Sequence, residues 1–374
     1  MNIDLSLPYI TADLPGIGGQ LRTTPNHFVV EELSLYEPEG QGEHLYANLT
    51  REGMTTREVQ YRLADVFGIR PSDVGFAGLK DKYACTTQTF SLLVGKVDDN
   101  FIDQAAERIR TNLPVTVNWT RLHKNKLKPG HLLGNRFIII ITNPKISLDK
   151  ALSRAQAIGT SLRERGLPNF FGPQRFGFDG DNVQRGLEII LGRLQNVDLW
   201  LRRFLISSYQ SYLCNRYFVR RFESGTFDRI LLGDIAKRYA TGGLFQVKDD
   251  RREQPRYENH EISFTAPIYG PRMWSATGPA GELEAEILAE AGLRLEQFGA
   301  VRIEGTRRLG RLLVPDLNVG LEPQALRVCF SLPKGAFATT ILREIMKIDL
   351  QDSSPFSNNA ENTDHGIRRI SSSP

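Results

Sequence analysis

One carboxylate in this chain stands between two lysines in a segment led by glycine. The stretch runs Gly78-Leu79-Lys80-Asp81-Lys82-Tyr83-Ala84-Cys85-Thr86-Thr87-Gln88. Cations on both sides are expected to favour the ionised form of a carboxylate. They also suit a polyanionic substrate, although an isolated Lys-Asp-Lys run also fits a solvated turn. A second cluster, Arg121, His123, Lys124, Lys126 and Lys128, lies just ahead of Gly134-Asn135-Arg136-Phe137. Spaced cations attract a phosphate backbone. An Asn and a Phe beside them can read a base edge and stack on its face. The plainer alternative is a solvated loop with Phe137 opening a core strand. The third segment, Pro168-Asn169-Phe170-Phe171-Gly172-Pro173-Gln174-Arg175-Phe176-Gly177, interleaves aromatics with Arg, Asn and Gln. It fits either RNA contact or a packed domain junction.

Other chemistries lack their residues. Cys85, Cys214 and Cys329 are far apart with no Cys-x-x-Cys pair, which argues against a thiolate zinc site. So sparse and odd a cysteine count fits a reducing compartment. His27, His44, His123, His131, His260 and His365 are scattered without ligand spacing. No metal site is expected. Gly16-Ile17-Gly18-Gly19 does not open a helix after a strand, so it is not read as a dinucleotide loop. No Walker loop, Gly-x-Ser-x-Gly or His-Glu-x-x-His occurs. A formal net charge of +4 permits a nucleic-acid partner without demanding one. The first ten residues carry Asp4 and no positive region, unlike a signal peptide. No run approaches the roughly 18 apolar residues of a membrane span. A soluble, cytoplasmic protein is expected.

The elements that must position these residues follow from periodicity. With 374 residues, 40% of them apolar, the chain can form two to three domains. Strands are predicted over Phe28–Leu33 and His44–Leu49, with a Gly/Pro/Glu turn between them. Thr55 or Thr56 can cap a helix that buries Val59, Leu63, Val66 and Phe67 and stops at Gly68. Gly75–Thr87 reads as a loop, and Gln88–Val94 as a strand. Arg121–His131 reads as a basic loop and Phe137–Thr142 as a strand. A helix over Asp149–Arg165 stops at Gly166. Hairpins rather than strict βαβ alternation favour an α+β class. After Gly166 the chain is richer in helix, with helices expected over Trp200–Phe222 and Glu282–Ala291, as in a second domain. Strand signal returns at Leu326–Leu332, followed by a helix over Thr339–Met346. Gln351–Pro374 is rich in Ser, Asn and Asp and has the composition of a disordered tail.

Taken together, the segments resemble the TruD-type pseudouridine synthases. Pro25-Asn26-His27-Phe28-Val29-Val30-Glu31-Glu32 is similar to that family's N-terminal Pro-x-x-Phe-x-Val-x-Glu, and Gly42-Glu43-His44 follows it. Phe76-Ala77-Gly78-Leu79-Lys80-Asp81-Lys82 is similar to the Ala-Gly-x-Lys-Asp-Lys signature. Gly134-Asn135-Arg136-Phe137 matches Gly-Asn-x-Phe. Pro168–Gly177 matches Pro-Asn-Tyr/Phe-Phe-Gly-x-Gln-Arg-Phe-Gly. Leu332-Pro333-Lys334-Gly335-Ala336-Phe337-Ala338-Thr339 matches Leu-Pro-x-Gly-x-Phe-Ala-Thr. The match is loosest between about Gly180 and Val314.

The resemblance implies a pseudouridine-synthase fold, α+β with a largely antiparallel mixed sheet, interrupted by an inserted TRUD domain. The catalytic domain would be residues 1–165 plus 312–350, the insertion 166–311, and the tail 351–374. It implies an isomerase that turns uridine into pseudouridine in tRNA, at position 13 of the D-arm in bacteria, without a cofactor. Asp81 would be catalytic. Phe28, Asn135, Phe137 and Phe337 would line the uridine pocket. Lys80 and Lys82 would pair with phosphate or orient the loop, and Arg22 would hold a partner of Asp81. Arg121, Lys124, Lys126 and Lys128 would meet the RNA backbone. The partner is tRNA; no protein partner or membrane is implied, and a monomer is the default. Two other classes compete. A catalytically silent RNA-binding protein of the same fold would not need Asp81. A metal-dependent nuclease would need further acidic ligands near it.

Overall fold

The computed structural model describes residues 3–348, so the expected disordered tail lies outside the described residues. Along the chain, β1 (Phe28–Ser34) and β2 (His44–Arg51) precede α1 (Thr56–Phe67). Next come β3 (Val74–Phe76), β4 (Cys85–Leu93), α2 (Asp99–Asn112), β5 (Thr116–His123), β6 (Leu132–Thr142) and α3 (Leu148–Arg165). The middle of the chain holds β7 (Leu167–Pro168), α4 (Asp181–Ile190), α5 (Leu199–Glu223), β8 (Ile235–Arg238), β9 (Leu244–Gln246) and α6 (Asp250–Glu258). It continues through β10 (Ile262–Ile268), α7 (Gly278–Glu290), α8 (Leu295–Ala300), β11 (Thr306–Leu309) and β12 (Arg311–Leu312). The hairpin β13 (Asn318–Glu322) and β14 (Ala325–Pro333) leads to α9 (Ala338–Met346).

The chain divides into two units. One comprises Met1–Gly16, Ser153–Asn318 and Phe330–Ile345; the other is built on Ile17–Leu152 with Val319–Cys329. The long segment of the first unit therefore starts inside α3, ahead of Gly166.

The unit that carries Asp81 is built on a sheet of order β13-β14-β6-β1-β4-β2-β5, with β3 added to β4. β1 runs parallel to β4, whereas β1–β6, β2–β4, β2–β5 and β3–β4 are antiparallel. The expected α+β class with a largely antiparallel mixed sheet is borne out. Alternation explains the burial of one face. Leu45, Ala47 and Leu49 of β2 and Phe90 and Leu92 of β4 point into one core. Helical spacing supplies the other layer, with Val59 and Leu63 of α1, Ala105 and Ile109 of α2, and Leu113 just past its end. Fully burying each large apolar side chain contributes about 1.5–3 kcal/mol.

Local chemistry fixes the ends of α1. Thr55 accepts from the Glu58 backbone N–H while Glu58 reaches back to the Thr55 N–H, a reciprocal capping box. Gly68 closes the helix at φ +64°, a left-handed conformation that disfavours a Cβ.

The other unit holds the antiparallel sheet β11-β10-β8-β9 against the long helix α5. Phe264 of β10 sits among the rings of Tyr217, Phe218, Phe227 and Tyr257, at centroid distances of 6.5, 6.4, 5.9 and 6.2 Å. Arg221 and Asp234 form a fully buried ion pair at 3.1 Å. The helices expected here are present as α5 and α7, and the region is richer in helix than the chain before Gly166, with short strands between the helices. The strands of its four-stranded sheet span three to seven residues, and β10 contains Pro267, so none announces itself by a long alternating run.

Candidate active site

The link between β3 and β4 presents Asp81, and buried polar bonds hold its first half in place. Lys80 turns its ammonium inward onto Glu32 of β1, with Nζ 2.8 Å from Oε2 and side-chain exposures of 4% and 3%. The Glu32 carboxylate also accepts from Gln88 Nε2 and from the Thr89 backbone N–H, each at 3.4 Å. Gln88 Nε2 donates to the Gly78 carbonyl. The Lys80 backbone N–H donates to Thr56 Oγ1 at 2.9 Å, and that hydroxyl donates to Gln88 Oε1 at 3.2 Å. Arg51, itself buried, donates to both Thr56 Oγ1 and Gln88 Oε1. Burial pushes the Arg51 guanidinium down to about 10, against the pull of Glu32 and Glu58. Gly78 and Lys80 are thus tied to β1, β4 and the first turn of α1.

Asp81 itself faces outward. Its Oδ1 accepts from the Tyr83 backbone N–H at 3.0 Å, a turn closed by the side chain. Its Oδ2 lies 2.7 Å from Arg22 NH1; Asp81 keeps 34% of its side chain exposed and Arg22 keeps 16%. Arg22 stacks its guanidinium 4.3 Å over the ring of Phe28, and Phe28 meets Phe137 edge-on at 6.3 Å. Strand register explains that encounter: β1 and β6 run antiparallel with Val30 opposite Phe137, so the Phe28 and Phe137 rings share one face. Both rings are buried. Asn135 pairs with Glu32 in the same register, and its Oδ1 is buried with no hydrogen-bond partner among the described residues. Asp81, Arg22, Phe28 and Phe137 are therefore joined by a chain of contacts, and Asn135 lies two residues before Phe137 on β6, opposite Glu32.

The remaining expected residues lie elsewhere. Lys82 points toward Glu58 at 3.8 Å on the surface. Phe337 belongs to the other unit, where it meets Phe171 at 6.0 Å. The segment read as one basic loop from Arg121 to His131 is corrected in part: β5 runs to His123, so Arg121 projects from a strand. His123 is buried and stacks on Tyr36 at 5.1 Å, which explains why it belongs to the sheet. Lys124 pairs with Glu39 at 2.8 Å, Lys126 Nζ donates to the Ser72 carbonyl, and Lys128 is exposed. The strand beyond the Asp81 loop opens at Cys85, ahead of the expected Gln88, because Cys85, Thr86 and Thr87 pair with Val29, Val30 and Glu31.

Sequence reasoning gave no site role to Arg51 or Gln88, offered Thr56 only as a helix cap, and quoted Glu32 only as a strand and motif position. The available signal was the combination of a Glu on one strand and a Gln on another with a Lys-Asp pair between. Only the strand pairing shows that they converge.

The model of the tRNA pseudouridine synthase D (TruD) family matches residues 4–197 and 190–345. The chain belongs to the TruD family. A tRNA pseudouridine synthase D from Thermus thermophilus is 44% identical over 346 residues, covering 92% of this chain and 93% of that protein. One from Anaeromyxobacter dehalogenans is 41% identical over 92% of this chain and 98% of that protein. Among solved structures, a putative tRNA pseudouridine synthase D from Methanosarcina mazei superposes with a TM-score of 0.74 at 25% identity, covering 93% of this chain and 97% of that one. The family resemblance seen in the motifs is thereby established, and with it the enzyme class, an isomerase that forms pseudouridine in tRNA. Among the described residues, no helix of this TruD-family chain is long and apolar enough to cross a membrane.

Proposed function

We propose that this chain converts uridine to pseudouridine at position 13 of the tRNA D-arm, with Asp81 as the catalytic residue. One observation carries the assignment to Asp81: its carboxylate is anchored through one edge by Arg22 and through the other by the Tyr83 N–H, yet stays one-third exposed. Such a group is oriented without being sealed off. The reaction breaks the C1′–N1 bond, rotates the base and joins C5 to C1′; N1 ends protonated and the C5 proton leaves. Uracil is both leaving group and returning nucleophile, so the balance needs no cofactor. Asp81 acts on the ribose, either attacking C1′ or removing the C2′ proton.

Phe28, Phe137 and Asn135 form the pocket beside it in this reading, and the family resemblance assigns Phe337 to the uridine as well. The unmet acceptor of Asn135 suits a base-edge donor. Leaving the helical stack costs a few kcal/mol, and an aromatic platform returns about 1–3 kcal/mol per base. Lys80 orients the loop rather than meeting phosphate, which its buried pairing with Glu32 supports. Arg121, Lys124, Lys126 and Lys128, with Lys82, face the RNA backbone. Residues 1–165 with 312–350 act as the catalytic domain and 166–311 as the inserted domain, in a cytoplasmic monomer. The test is mass-spectrometric mapping of pseudouridine in tRNA from cells lacking this protein, with the purified enzyme added back. Loss at position 13 and its return support the reading; an unmodified pattern at that position in both wild-type and deleted cells opposes it.

A further inference from the structure

The Pro168–Gly177 motif carries an arginine that the pocket around Asp81 does not use. Arg175 is half-buried, and its NH2 donates to Ser207 Oγ at 2.6 Å while its guanidinium lies 5.1 Å over the ring of Phe204. Its Nε is buried and has no hydrogen-bond partner among the described residues. A second guanidinium is close by. Arg308 lies 3.7 Å over the ring of Phe171, and its donors reach the Asn169 carbonyl at 2.7 Å, Asn169 Oδ1 at 2.6 Å and the Gly335 carbonyl at 3.0 Å. Every one of these acceptors is neutral. Burial lowers both arginines, Arg308 to about 10 with Cys214 pulling the other way and Arg175 adding to the fall; among the described residues no carboxylate forms an ion pair with either.

Such an arrangement is unfavourable on its own. Two like charges, each partly withdrawn from water and with no carboxylate paired to either among the described residues, are unfavourable, because buried charges are normally paired. The arginines therefore call for an anion. The neighbours favour a nucleic-acid one. Gly172 is pressed close enough that a Cβ would meet Thr339 Oγ1 at 3.1 Å and the Phe337 ring at 3.4 Å. Thr339 Oγ1 is a second buried polar atom without a partner. Guanidinium forks match phosphate oxygens, hydroxyls add a further donor, and the adjoining rings of Phe171 and Phe337 suit a base or ribose.

We infer that Arg175 and Arg308 form a binding site for a phosphodiester group of the substrate RNA, with Thr339 as a third donor. The inference rests on the tRNA-modifying reading and adds a contact within the unit that does not contain Asp81.

Arg175→Gln removes the charge and leaves an amide for Ser207. The tRNA affinity of this variant should fall about tenfold, and the slope of log K against log[salt] should become shallower by about 1. Its melting temperature without RNA should not fall, because a desolvated charge has gone. Arg175→Lys should keep the wild-type slope. A wild-type slope in Arg175→Gln overturns the site. In the wild-type protein, where folding is not in question, bound tRNA should slow modification of Arg175 and Arg308 by an arginine-specific dicarbonyl several-fold. Equal labelling with and without tRNA contradicts the inference. A wild-type protein that shields these arginines with tRNA but forms no pseudouridine would remove the enzymatic reading and leave the phosphate site supported.

Discussion

Arg22 reaches Asp81 from a left-handed backbone conformation, φ +56°, with NH1 2.7 Å from Oδ2. That conformation is uncommon for a residue with a Cβ and costs on the order of 1–3 kcal/mol. The contacts that hold it are the carboxylate and the ring of Phe28. Backbone strain and side-chain chemistry thus meet at one residue, next to the carboxylate assigned to the reaction.

Arg22→Gly separates the two. Glycine relaxes the backbone, which offsets the lost ion pair, so stability should stay within about 1 kcal/mol of wild type. Turnover should fall about 100-fold, because Asp81 loses the group that aims it. Single-turnover pseudouridine formation and a denaturant melt read both quantities. Wild-type turnover in Arg22→Gly would strip Arg22 of its positioning role.

Glu32→Gln leaves the Lys80 ammonium buried without its countercharge. The expected loss is about 3–5 kcal/mol, with the Asp81 loop loosened and activity reduced. Glu32→Leu combined with Lys80→Met removes both charges and should regain most of that stability. Urea denaturation of the three proteins decides. A small effect of Glu32→Gln would mean that water, not Lys80, is the main partner of Glu32.

Much of this was legible in the residues. The α1 boundaries follow from Thr55, Glu58 and Gly68, whose cap chemistry is local. Asp81, Phe28, Asn135 and Phe137 stood out as a family pattern. What could not be read was the pairing of β1 with both β4 and β6, which brings Glu32 to Lys80 and Phe28 to Phe137. Register depends on contacts between segments far apart in the chain, and no local period encodes it. The same limit hid the short strands beside α5 and turned Arg121 and His123 into loop residues. His123 shows why: its ring is buried against Tyr36 and Tyr46, a tertiary contact that charge counting reads as exposure.

Phe337→Ala should lower turnover on tRNA while the protein stays folded. Phe337 is half-buried and meets Phe171, so it has surface to offer a base. A fully buried core phenylalanine would instead cost about 3–5 kcal/mol on truncation. A melting curve separates the two, and a large fall in midpoint would assign Phe337 to the core.

Neutralising Lys124 and Lys126 together should weaken tRNA binding without changing the site modified. The Lys124–Glu39 pair is exposed and worth little, so Lys124 is available to phosphate. Each lost phosphate contact should flatten the salt slope by about 1. An unchanged slope would take this segment out of the interface.

The most direct measurement is pseudouridine formation by Asp81→Asn on a tRNA that the wild type modifies. Asparagine keeps the size of the side chain and an acceptor for the Tyr83 N–H, but removes the negative charge and the nucleophile opposite Arg22. The variant should fold and bind tRNA within about tenfold of wild type, and wild-type turnover should survive EDTA. No pseudouridine should form in the variant. Conversion at a rate comparable to wild type would contradict the assignment of Asp81 as the catalytic residue.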